Sequence, residues 1–182
     1  MGFVLLGNAI LFGITMKIAD LHNEHGFKAF NGSGILFGIL WGLSGAVLVL
    51  SDQLLANIIM AMNIAFVTRM RLDYFNHTLA ASIIILTFAL TQKTMPAILI
   101  SFYLAFAVFG GIKDFLDDGI KSKNIAGKIS ETMWYYPVSG LVFGFFFGNF
   151  TPFIVLSLYT IAYDTIKLGY ESIKTEEKNN AS

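Results

Sequence analysis

Residues 34–68 read GILFGILWGLSGAVLVLSDQLLANIIMAMNIAFVT, and Asp52 is the single charged side chain in the stretch. A helix needs roughly 17 to 25 residues to cross the hydrocarbon of a bilayer, so this run is too long for one crossing. Nor can it lie open in lipid, where every backbone N–H and C=O must find a partner inside the protein. It reads as two spans, Gly34–Ser51 and Gln53–Thr68, joined by a tight hairpin at Ser51, Asp52 and Gln53. Working outward by the same rule, further apolar runs fall at Gly2–Ile18, Thr78–Thr91, Pro96–Ile112, Met133–Gly148 and Phe150–Ile166. The expected fold is all-α: a polytopic membrane helix bundle of about seven spans, forming one transmembrane domain over residues 1–182.

Composition agrees with that reading. Of 182 residues, 55% are hydrophobic and 13% charged, and the mean hydropathy is +0.68, which suits a chain whose solvent is the bilayer. The net charge is zero, so there is no basic surface to release counterions, and nucleic acid is excluded as an expected partner. A membrane lipid or lipid-like substrate fits better. The absence of cysteine removes disulfides, zinc thiolates and thiol nucleophiles. No basic region precedes the apolar run at Gly2, so that run is expected to be a permanent span and not a cleaved signal.

The charges are distributed unevenly. With these spans, Lys17, Lys28, Arg69, Arg71, Lys113, Lys121, Lys123, Lys128, Lys167, Lys174 and Lys178 fall on one side and Lys93 on the other. Lysine and arginine collect on the cytoplasmic side of membrane proteins, so an integral, multi-pass protein is expected with its amino terminus outside and its carboxyl terminus cytoplasmic. His22, His25 and His77 share the charged side, and Asp52 is the one acid opposite. The polar tail, 174–182, is expected to fray.

Two stretches repeat an order of features. Phe12-Gly13 and Phe109-Gly110 close apolar runs; acidic segments follow (Asp20 to Glu24, Asp114 to Asp118), then a polar loop, then a span with glycine at every fourth residue. Gly34, Gly38 and Gly42 form one stripe and Gly140, Gly144 and Gly148 the other; each lines one helix face and admits a neighbouring backbone. The pattern implies two three-helix repeats, about 1–70 and about 95–170, made parallel by a connecting span at about 78–92.

The acidic segments lie where helices leave the membrane. Asp20 and Glu24 stand four apart on one face with Lys17 a turn earlier, and Asp114, Asp117 and Asp118 share a face flanked by Lys113 and Lys121. Carboxylates so clustered suit Mg²⁺, which takes oxygen ligands and leaves water positions for a phosphate. The plainer alternative is that helix ends at the cytoplasmic boundary simply carry charge, in weak surface pairs.

Lys17-x-x-Asp20-x-x-x-Glu24 and Asp114-x-x-Asp117-x-x-x-Lys121 are similar to the two aspartate-rich motifs of the UbiA superfamily of intramembrane prenyltransferases. Asn124-Ile-Ala-Gly127-Lys128 resembles the glycine-lysine segment after the second motif, and the order of spans resembles that family across most of the chain. The resemblance implies a Mg²⁺-dependent prenyltransferase acting on a polyprenyl diphosphate, with the acceptor unspecified. Asp20, Glu24, Asp114 and Asp117 would be catalytic and hold Mg²⁺ together with Asp118, while Lys17, Arg69, Arg71, Lys113 and Lys121 would grip the diphosphate. Lys17 and Lys121 stand where the family carries acids, and its first and last spans have no counterpart here, which leaves room for a partner subunit or a homo-oligomer.

Catalysis of that kind is mainly electrostatic, with the allylic cation shielded from water. Tyr74, Tyr103, Trp134, Tyr135 and Tyr136 lie near span ends where rings can face a cation, although Trp134, Tyr135 and Tyr136 read more simply as an interfacial aromatic belt. Asn57 and Asn63, inside a span, are expected to make interhelical hydrogen bonds. Two other readings stay open. Parallel repeats and glycine stripes also build non-enzymatic carriers and assembly subunits, and Asp117-Asp118-Gly119 is similar to the start of the CDP-alcohol phosphotransferase motif. Cationic and acidic groups converging in one cytoplasmic-side cavity would favour lipid chemistry; splayed groups would favour a scaffold.

Overall fold

The computed structural model describes residues 2–24, 26–72, 74–119 and 132–180. Within these the chain is helical: α1 Phe3–Glu24, α2 Ser33–Ser51, α3 Gln53–Thr68, α4 Phe75–Thr91, α5 Pro96–Gly119, α6 Tyr135–Phe147 and α7 Thr151–Asn180. Three helical segments are long and apolar enough to cross a membrane, Phe3–Asn23, Ser33–Ser51 and Pro96–Leu116, while Gln53–Thr68, Phe75–Thr91 and Tyr135–Phe147 are apolar and shorter.

The long apolar run breaks where its length requires. Asp52 adopts an extended backbone, φ −162°, and its carboxylate accepts the Leu55 N–H at 3.0 Å, capping α3. The one acid of the far end is thus a helix cap. Nearby, Asn57 donates to the Lys93 carbonyl at 3.0 Å and accepts the Met95 N–H at 2.7 Å, tying the α4–α5 turn to α3. Among the described residues Asn63 bonds within its own helix, donating to the Ile59 carbonyl at 2.9 Å.

α1 lies against α2 and α7, and α5 against α3 and α6; the hairpins α2–α3 and α6–α7 complete the circuit, with α4 packed on α2 and α3. Aromatic side chains fill the interior. Phe12 contacts Tyr159 at 5.3 Å between ring centroids, Tyr159 contacts Tyr136 at 5.5 Å, and Tyr136 contacts Phe106 at 4.8 Å. All four are buried. Phe12 and Phe106 each stand eight residues before an acid, Asp20 and Asp114, so this aromatic core lies about 12 Å along the helices from them.

The two glycine stripes serve different contacts. A methyl on Gly38 would meet the Asn76 carbonyl oxygen at 2.8 Å, and one on Gly42 the Ala80 Cα at 3.1 Å, so the first stripe seats α4. A methyl on Gly140 would meet the Phe153 backbone at 2.8 Å, so the second seats α7 within its own hairpin.

Two expectations need correction. α7 continues through Lys174 to Asn180 where a frayed tail was expected; Glu171 and Lys174 stand three apart there, a spacing that supports a helix. Tyr135 and Tyr136 are 2% and 0% exposed, not interfacial, whereas Trp134 remains 38% exposed. Both tyrosines open α6 facing the bundle interior, with their rings tilted against one another at 4.3 Å between centroids.

Candidate functional site

The charged ends of α1, α3, α4, α5 and α7 surround a cavity of about 270 Å³. α1 contributes Asp20, 6% exposed. Its Oδ2 accepts the Tyr163 hydroxyl at 2.5 Å and its Oδ1 lies 2.9 Å from Nε2 of His77. The other ring nitrogen of His77, Nδ1, is 3.2 Å from the Arg71 carbonyl. Nε2 of His77 also lies 3.1 Å from the Asn23 side-chain amide nitrogen. Lys17, one turn before Asp20 and 3% exposed, places its Nζ 5.1 Å from the centre of the Tyr163 ring.

Across the cavity, Asp114 of α5 is held by two arginines. Arg69 donates from Nη2 at 2.6 Å and Nε at 3.0 Å to Oδ2. Arg71 reaches Oδ1 from Nη2 at 2.7 Å and Oδ2 from Nε at 3.2 Å. The backbone at the end of α3 makes this possible. Met70 sits at φ +53°, and the Arg71 N–H bonds the Phe66 carbonyl at 2.9 Å while the Met70 N–H bonds the Val67 carbonyl at 3.1 Å. That is the pairing of a Schellman termination, a place that usually holds glycine. A methionine in the left-handed region costs roughly 1 kcal/mol or more, and here the bend lets two arginines, two residues apart, approach the same carboxylate.

Arg69 also needs Gly110. Its guanidinium lies directly against the α5 backbone there, in the space a Cβ would take. Burial works to lower the Arg69 pKa, but interaction with Tyr135 and the hydrogen bond to Asp114 outweigh it, so its pKa is raised and the group stays cationic. Two donors here have no hydrogen-bond partner among the described residues: Nη1 of Arg69 and Nε1 of Trp41. Trp41 is 2% exposed, lines the cavity and meets the His77 ring edge-on at 5.5 Å. Among the described lining residues, three cations, Arg69, Arg71 and Lys113, face two carboxylates, Asp20 and Asp114. A partly enclosed lining that carries three cations suits an anion.

The site residues expected from sequence divide as follows. Asp20, Arg69, Arg71, Lys113 and Asp114 line one cavity, and Lys17 is buried beside Tyr163. The side chains of Glu24, Asp117 and Asp118, and the whole of Lys121, lie outside the described residues. Both described carboxylates are engaged by basic or hydroxyl partners, and the described residues contain no group of three or more His, Asp and Glu able to hold a metal.

Sequence alone does not single out His77, Tyr163, Trp41 or Asp164. Asp164, beside Tyr163, has a buried Oδ1 with no partner among the described residues. Its signal was legible as an acid inside the apolar run Phe150–Ile166, since such a residue is costly in lipid and marks a functional position. No protein-family model, curated protein or solved structure matches the chain.

Proposed function

We propose that this chain is a membrane-embedded prenyltransferase-like protein that takes the diphosphate of a polyprenyl donor into the cavity at its charged, cytoplasmic end. One observation carries the reading: Asp20 of α1 and Asp114 of α5, far apart in sequence, line one cavity together with Arg69, Arg71 and Lys113. The seven-span topology and the paired three-helix repeats belong to the same proposal. They are supported by the packing of α1 on α2 and α7, which parallels that of α5 on α6 and α3.

In this reading the C–O bond of the allylic donor breaks, the diphosphate leaves with the electron pair, and the acceptor's nucleophile attacks the allylic carbon and loses a proton. The cations stabilise the charge that develops on the leaving group. The rings of Trp41 and Tyr135, which belong to the cavity lining, would suit the allylic cation. Mg²⁺ enters through the resemblance to the UbiA superfamily, with Asp20, Glu24, Asp114, Asp117 and Asp118 as the residues that would hold it; in this reading Arg69, Arg71 and Lys113, which line the cavity, would contact the phosphates.

The carrier or assembly-subunit reading is favoured by a separate observation: both cavity carboxylates are engaged within the protein, Asp114 by two arginines and Asp20 by the Tyr163 hydroxyl and the His77 ring. The two separate on one assay. Full-length protein in nanodiscs is given geranylgeranyl diphosphate with and without Mg²⁺, and both binding and inorganic diphosphate release are followed in the presence of a membrane-lipid extract as acceptor source. A transferase binds and releases diphosphate, a carrier binds without release, and a subunit does neither. Absence of binding under both conditions sinks the proposal.

A further inference from the structure

The first turn of α4 is pinned from two sides. Asn76 donates to the Ala19 carbonyl of α1 at 3.0 Å and accepts from Asn23 at 2.8 Å. Its backbone packs on Gly38 of α2 so closely that a methyl there would meet it. His77, the next residue, shares that fixed position, and its ring meets Trp41 and Tyr74 edge-on, each at 5.5 Å between centroids. A side chain locked by its neighbours in this way can position a more mobile group.

What His77 reaches is the segment that carries the arginines. Between α3 and α4 the chain turns through Met70, left-handed at φ +53° and 85% exposed. A strained residue persists only where its surroundings over-determine it, and a methionine so exposed has little packing to hold it. The restraint comes from the backbone on both sides. The Met70 and Arg71 N–H groups bond back to the Val67 and Phe66 carbonyls at the end of α3. Beyond them, the Arg71 carbonyl lies 3.2 Å from Nδ1 of His77, and the Leu72 carbonyl accepts the Thr78 hydroxyl at 3.1 Å. A carbonyl can only accept, so the bond from His77 places a proton on Nδ1. Arg71 is thus held at both its N–H and its C=O, while its guanidinium, on Asp114, is exposed and free to turn.

Resting on the function proposed above, we infer that His77 is a positioning residue for diphosphate binding: its Nδ1–H bond to the Arg71 carbonyl keeps the Arg71 backbone at the cavity while the guanidinium changes partner from Asp114 to the incoming anion. The imidazole acts through Arg71 and needs no contact with the ligand. Released from His77, the turn would relax away from the left-handed Met70 and carry Arg71 out of place.

The test is calorimetric titration of inorganic diphosphate into the full-length protein in phosphatidylcholine nanodiscs. His77→Asn puts an amide N–H near the position of Nδ1 and should keep most of the affinity. His77→Gln puts it near that of Nε2, on the side of Asp20, and should weaken binding several-fold. The same pair is then compared in a Met70→Gly background, where the difference between Asn and Gln should vanish, because glycine takes the left-handed conformation without strain and the turn no longer depends on the histidine. That background also secures folding should His77→Gln alone fail to fold. Equal affinities for Asn and Gln beside Met70, or a difference that persists beside glycine, overturn the positioning role while leaving the proposed function standing. If the wild-type protein binds no diphosphate, the function proposed above falls and the role of His77 with it.

Discussion

Asp20 and Asp114 reach the same cavity but are held in different ways. Asp20 is nearly enclosed and bonded to one hydroxyl and one imidazole, on helices that pack tightly around it. The Asp114 side chain is 22% exposed and held by two arginines, one of which, Arg71, is itself 47% exposed. Gly13 and Gly110, at matching places after a phenylalanine, differ in the same sense. A methyl on Gly13 would collide with the backbone carbonyl of Tyr159, and one on Gly110 with the end of the Arg69 side chain. The α1 side of the cavity is a fixed wall, and the α5 side is an ion cluster whose members can exchange partners. An incoming anion would compete with Asp114 for the arginines and leave Asp20 in place.

Substitutions can break this comparison, beginning with the largest expected effect. Gly13→Ala should destabilise the protein by about 3 kcal/mol or more, because backbone cannot yield to the new methyl; a thermal unfolding scan in detergent would check it. Tyr163→Phe removes a hydrogen bond to a buried carboxylate and should cost about 2 kcal/mol in the same scan. Gly110→Ala should cost only about 1 kcal/mol, since the Arg69 side chain can swing away, but it should weaken diphosphate binding measurably. A stability loss at Gly110 equal to that at Gly13 would contradict the contrast between wall and exchangeable cluster. Met70→Gly relieves a left-handed methionine and should stabilise by a few tenths to about 1 kcal/mol.

Much of the fold was legible because length and polarity constrain chains in lipid strongly. The α2–α3 break at Asp52 followed from a run too long for one span, and α3 begins and ends where that reasoning put it. The pairing of an acid near the end of α1 with one near the end of α5 was legible from repeated order. What holds each acid was not. His77 comes from α4 and Tyr163 from α7, and no local spacing links either to Asp20. The burial of Tyr135 and Tyr136 was hidden for a similar reason: a polar-aromatic run at a span end looks the same whether it faces headgroups or the bundle interior. The first glycine stripe announced close packing without naming α4 as its partner, because a stripe fixes a face and not the helix that covers it.

The most direct test of the central claim is the equilibrium affinity for geranylgeranyl diphosphate of the full-length protein and of the double variant Arg71→Ala/Lys113→Ala. Both positions lie at the cavity and outside the aromatic core, so folding should survive. If the cavity holds the diphosphate, removing two charged donors should weaken binding at least about tenfold, the scale of one charge-assisted hydrogen bond. Unchanged affinity would place the head group elsewhere and reduce the cluster at Asp114 to a structural ion pair.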